Sequence, residues 1–303
     1  MKYRCKAGRS LFGWTPIALL LGIQLNAVAY AEVTLTHVHG LAYSTDGKQL
    51  LVPSHHGLAV YKDGHWSKAP GPEHDYMGFA STRKYFFSSG HPARGTGLAN
   101  PFGLIRSRDG GRSWDKLGLE GQSDFHVLAA GYENNFVYVY NSASNARMDR
   151  AGIYYTGNSG LLWRRAEAVG LDGEVASLAV HPTDAKNVAA ATKSGIYLSK
   201  DGGDRFEPLL SDTQGLVVFF DLDGRHVWAS TYDGAPWLYR IALSDKRRES
   251  VSLPKLTRDA VAYVAQNPAH RAEFAIATFE RSVYVSPDRG RTWKLIADRG
   301  RGL

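Results

Sequence analysis

The sequence predicts an all-β chain folded as a six-bladed β-propeller, and three observations predict it. A short signature recurs at near-constant spacing, short strand-like runs fill the intervals, and no heptads or long helical stripes interrupt them. The signature reads S-x-D-G-G-x-x-W over 107–114, with Phe206 in the Trp slot over 199–206 and Arg289 in the first Gly slot over 286–293. A worn copy over 156–163 carries Asn158 in place of Asp, and a shortened copy runs from Tyr61 to Trp66. The Asp-slot positions 63, 109, 158, 201 and 288 are separated by 46, 49, 43 and 87 residues. The last step spans two periods, and the skipped copy falls at the polar turn Ser244-Asp245. Six units of roughly 45 residues follow, each expected to supply four short strands.

Unit one is expected to place strands at 40–44, 49–54, 58–62 and 65–68, divided by the turn pairs Asp46-Gly47 and Asp63-Gly64. Unit two follows with 77–82, 85–88, 103–108 and 113–116, its middle opened by the polar stretch 89–101. Unit three has 126–132, 136–141, 152–156 and 162–166, where Val137-Tyr138-Val139-Tyr140 is a strong β-former run. Unit four has 175–181, 188–192, 196–200 and 205–209. Unit five has 216–221, 226–231, 237–243 and 249–253, with Asp223-Gly224 between its first two strands. Unit six has 261–267, 274–278, 283–286 and 292–297. A seventh, partial blade built from 32–36 and the C-terminal tail is the alternative. Radial repetition of such sheets removes the exposed edges of an open sheet.

The signature has a local physical role. Its Asp accepts hydrogen bonds from the backbone of its own turn, its Gly supplies positive φ, and its aromatic packs between neighbouring sheets. It resembles the Asp-box, or BNR repeat, of sialidases, sortilin-type receptors and photosystem assembly factors. Over nearly all of 32–303 the chain looks like bacterial exported Asp-box propellers of the sialidase/sortilin-like superfamily, often labelled glycosyl hydrolases. The matching stretches are 36–41, 54–58, 74–79, 88–92 and 123–128. The resemblance implies a propeller working outside the cytoplasm and supplies no substrate, because Asp-boxes occur on enzymes and binding scaffolds alike.

Residues 1–31 read as a signal peptide. Lys2, Arg4, Lys6 and Arg9 form a basic start, an apolar run covers 17–25, and Ala29-Tyr30-Ala31 offers a small-x-small cleavage site. That run is short for a membrane span, so a periplasmic or secreted product without a membrane anchor is expected, with 32–303 as one propeller domain. Removing the four cations lowers the formal charge from +7 to +3, too little for a nucleic-acid footprint. Cys5 is the one cysteine of the sequence, so 32–303 has neither disulfide nor thiolate chemistry.

The eleven histidines point to a site. In a four-stranded blade the connections into the innermost strand and between the second and third strands share one face, here called the top. His37, His39, His55, His56, His74, His91 and His126 all map there, and all within the first three units. Aligning the inner strands puts His39, Met77 and His126 in equivalent positions, with His37, Asp75, Asp124 and Glu174 two residues earlier. Met77 and Met148, the only methionines after residue 31, fall on the same face. Imidazoles are frequent ligands of transition metals, thioether adds softness that suits copper, and adjacent carboxylates orient imidazoles. The expected function is therefore binding, at a copper or zinc site drawn from those seven histidines and Met77.

Glycoside hydrolysis is the alternative. It would use top-face carboxylates, Asp75 and Asp124 first, from a set that includes Asp149, Glu174, Asp233, Asp259 and Glu280. Arg94, Arg147, Arg258 and Arg281, with Tyr76 or Tyr232, are the sialidase-type accompaniment. A metal-free scaffold for a protein partner is the third reading. The long polar loops 90–101 and 141–150, and Trp237 beside Tyr232 and Asp233, would then contact a protein or carbohydrate ligand.

Overall fold

Short strands apolar at consecutive positions, such as Val188–Thr192, leave both faces of a sheet in need of cover, and a ring of sheets provides it. In the computed structural model, which describes residues 1–3 and 33–303, six antiparallel sheets follow one another in chain order. The expected signal peptide lies outside the described residues, except for its first three.

Blade one comprises β1 (Ala42–Tyr43), β2 (Leu50–Ser54), β3 (Gly57–Lys62) and β4 (His65–Lys68). Blade two comprises β5 (Asp75–Ser81), β6 (Phe86–His91), β7 (Ile105–Ser107) and β8 (Asp115–Lys116). Blade three comprises β9 (Leu128–Ala130), β10 (Val137–Asn141), β11 (Gly152–Thr156) and β12 (Arg164–Arg165). Blade four comprises β13 (Val175–Val180), β14 (Val188–Thr192), β15 (Gly195–Ser199) and β16 (Glu207–Ser211). Blade five comprises β17 (Gln214–Phe220), β18 (His226–Tyr232), β19 (Pro236–Ala242) and β20 (Arg248–Ser250). Blade six comprises β21 (Val261–Gln266), β22 (Phe274–Thr278), β23 (Val283–Ser286), β24 (Lys294–Asp298) and β25 (Arg301–Gly302).

Among the described residues no seventh blade forms. The segment considered for it closes the ring instead: Thr34 bridges to Arg301 at the edge of blade six, and Leu35 N–H donates to Gly300 O at 2.6 Å. The six apolar clusters lie one at each interface between successive blades, including first against last. Strand alternation makes this possible. On β14, Val188 and Ala190 face blade three while Ala189 and Ala191 face blade five. Met148, in the β10–β11 connection, is fully buried in the core between blades two and three.

Positions 63, 109, 158, 201 and 288 all lie in turns between the third and fourth strands of their blades. Ser199 Oγ donates to Asp201 Oδ1 at 2.8 Å and accepts from Gly203 N–H at 2.8 Å, while Arg205 N–H donates to Asp201 Oδ1 at 2.9 Å. The copies at Asp109 and Asp288 repeat these bonds. So does the Asn158 copy, in which Leu162 N–H donates to Asn158 Oδ1 at 2.9 Å. The shortened copy folds differently. Lys62 pairs with His65, and Asp63 and Gly64, with φ of 50° and 85°, form a two-residue hairpin turn.

Candidate metal centre

The inner strands line a central cavity of about 670 Å3, and His37, His39 and His126 are on its wall. Their directions follow from strand alternation. His37 and His39 flank Val38, which packs into the interface with blade six. Asp124 and His126 flank Phe125, which is fully buried and whose N–H donates to Ser89 Oγ at 2.9 Å. Packing the middle residue of each tripeptide into a blade interface turns its two neighbours toward the mouth of the cavity.

His55 arrives from the β2–β3 connection. Ser54 pairs with Gly57, so His55-His56 is a two-residue turn, with His55 half-buried and His56 exposed. The rings of His37 and His55 lie 4.4 Å apart, and those of His39 and His55 lie 4.8 Å apart. One nitrogen from each of His37, His39 and His55 lies within 4.8 Å of the others. His55 Nδ1 lies 2.7 Å from Asp75 Oδ2, so the carboxylate sits against that side of the ring. His39 Nε2 stands 3.8 Å from Asp75 Oδ1, too far for a hydrogen bond, and both atoms are buried without a partner. Burial, reinforced by His55, His37 and His126 and opposed by Asp75, holds the His39 pKa down at about 4. At neutral pH His39 is therefore an uncharged imidazole.

A second group adjoins the first. Asp75, at the start of β5, is the direct cross-strand partner of His91, at the end of β6. Gly90, with φ of +120°, permits this approach, since a Cβ there would fall 2.1 Å from the Asp75 carbonyl oxygen. His91 Nδ1–H donates to Asn100 Oδ1 at 2.6 Å, and His91 Nε2 lies 3.0 Å from Asp124 Oδ2. His126 Nε2 lies 2.6 Å from the same oxygen, and Asp124 Oδ1 is buried without a partner. The hydrogen bond to Asp124 raises the His126 pKa against the opposing effect of burial. His91, Asp124 and His126 thus form a second set of donor atoms, also within 4.8 Å of one another.

The remaining expected site residues sit elsewhere. His74 is buried, and its Nδ1 accepts from Ala93 N–H at 3.0 Å, which ties down the start of the β6–β7 loop. Met77 is buried but does not line the cavity. The β5–β6 register shifts between Met77 and Phe79, and Gly78 and Phe79 face the channel instead. Glu174 is drawn outward into a 2.6 Å ion pair with Lys193. Sequence reasoning missed Asn100, whose only signal was its place in the polar β6–β7 loop. It also missed Asp221, Asp223 and His226 at the opposite end of blade five, where Arg240 already supplies a cation.

Of the hydrolase accompaniment, Glu280 and Arg281 line the cavity, and several side chains are committed to structural contacts. Tyr76 is fully buried with its hydroxyl donating to Pro72 O at 3.1 Å, Arg281 donates to Thr36 O at 3.1 Å, and Arg147 to Gly160 O. Asp149 accepts from Tyr154 at 2.8 Å.

No family model and no curated protein sequence matches the chain. Among solved structures it is similar to the GH74 enzyme of Niastella koreensis, with a TM-score of 0.60 and 13% identity over 88% of this chain and 46% of that one. An ancestral GH74 enzyme gives 0.54 and 14%, over 89% and 40%. YCF48 bound to D1 peptide gives 0.50 and 18%, over 89% and 85%. The chain spans less than half the length of either GH74 enzyme, and at these identities the likeness is one of fold.

Proposed function

We propose that this protein is a periplasmic or secreted metal-binding β-propeller that holds copper(II) or zinc at the mouth of its central cavity. The observation that carries the reading is the geometry around His39. A buried neutral imidazole and a buried carboxylate oxygen face each other at 3.8 Å without partners, beside two further histidines. Such atoms are costly to bury unless something joins them. The donors are nitrogen and oxygen, with no thiolate and with Met77 turned off the cavity, which suits zinc or copper(II) over copper(I). The proposal of export rests on the basic, apolar and small-x-small pattern of 1–31.

The same contacts weigh against hydrolysis, since Asp75 and Asp124 are both committed to imidazoles. The test is to titrate the purified protein with zinc and with copper(II) and count bound metal by elemental analysis. Stoichiometric binding that His39→Ala abolishes or weakens supports the reading. Binding of neither metal refutes it, and the scaffold reading takes its place.

A further inference from the structure

We propose that the cluster is dinuclear, with one ion held by His37, His39 and His55 and a second by His91, Asp124 and His126. This rests on the metal-binding reading above and deepens it. The six residues divide into two triads, each with its donor atoms within 4.8 Å of one another. For ligands bound at about 2.0–2.1 Å, tetrahedral donors lie roughly 3.4 Å apart, so each triad needs only small side-chain rotations to close on one ion.

The two halves repeat one design. In each, a carboxylate turns Oδ2 toward imidazole, Asp75 to His55 and Asp124 to His91 and His126. Each carboxylate also keeps Oδ1 buried without a partner. Two dications held close together repel, and two such carboxylates supply the compensating charge. The halves share a rigid mount, because Asp75 of the first is the cross-strand partner of His91 of the second. Asp75 has its free oxygen 3.8 Å from His39 Nε2, and its charge is felt at His126 as well. It is thus placed to couple the two ions.

His91 adds a point specific to the second half. With Nδ1 held by Asn100, His91 presents Nε2 3.0 Å from Asp124 Oδ2, so one cation can be bound by both atoms.

The experiment uses the whole protein, His37→Ala/His55→Ala and His91→Ala/His126→Ala, loaded with excess copper(II) or zinc and freed of unbound metal by gel filtration. The expected result is two equivalents for the parent and one for each double variant. The copper(II)-loaded parent should show a dipolar-broadened paramagnetic resonance spectrum, and the variants an isolated-ion spectrum. One equivalent in the parent, lost in both variants, overturns the dinuclear arrangement and leaves the metal-binding reading standing. No bound metal in the parent overturns both. Should either variant fail to fold, the parent's stoichiometry and spectrum alone decide between one ion and two.

Discussion

The Trp66 indole N–H donates to the carbonyl oxygen of Ile296 at 2.6 Å, a bond between the outermost strand of blade one and β24 of blade six. The two residues are 230 positions apart, and both are buried. With the Thr34–Arg301 bridge, this bond joins the two ends of the ring. Trp66→Phe keeps most of the packing and removes one of two bonds to a carbonyl that still accepts from Leu303 N–H at 3.0 Å. A loss of about 0.5–1.5 kcal/mol is expected in urea unfolding, with an unchanged denaturant slope.

The turns separate what their aspartate does from what their serine does. Asn158 accepts the same backbone bond as Asp201, so Asp201→Asn should change stability by less than about 0.5 kcal/mol at neutral pH. Ser199→Ala strands the buried N–H of Gly203 and should cost about 1–3 kcal/mol. Equal losses in thermal or urea unfolding would contradict this division of labour.

Acid should weaken these same turns. Ser113, through its hydroxyl and its N–H, holds the Asp109 carboxyl down at about 2, and turn hydrogen bonds lower Asp201 and Asp288 in the same direction. A carboxyl whose pKa is depressed on folding adds stability above its unfolded value and loses it as pH falls through the folded one. The melting temperature of the parent should therefore drop between about pH 4 and pH 2. Asp109→Asn should show a shallower drop across that window.

Asp75 stands 2.7 Å from His55 Nδ1 and 3.8 Å from His39 Nε2, so it both positions the first triad and has an oxygen in reach of its ion. Asp75→Ala should weaken the bound zinc or copper(II) about 10–100-fold in a competition titration with a chelator, while the far-ultraviolet circular dichroism stays unchanged. Unchanged affinity would mean that the turn at Ser54–Gly57 positions His55 unaided.

Features set by local chemistry were legible in the sequence. The Asp and Gly of each turn act within a few residues of themselves, so their spacing alone counted the blades. Alternation did the same for His37, His39, Asp124 and His126, each paired around an apolar residue packed into a blade interface. Non-local contacts were not legible. His74 is committed by Ala93, nineteen positions later in the sequence, and Met77 is displaced by a bulge that exists only once β5 pairs with β6. Asn100 reaches His91 through the fold of a long loop, which composition does not encode.

Ring closure and donor placement depend on the same few residues. Thr34 and Leu35 fasten the first segment to blade six, and His37 and His39 follow immediately on that same stretch of backbone. An N-terminal stretch peeled from the edge of β25 would carry two imidazoles out of the cavity mouth before any other blade was disturbed. An occupied site would resist that peeling, by an amount that grows with the logarithm of free metal concentration. The seam of the ring would then be its most ligand-sensitive joint, and amide exchange at Leu35 would record how full the site is.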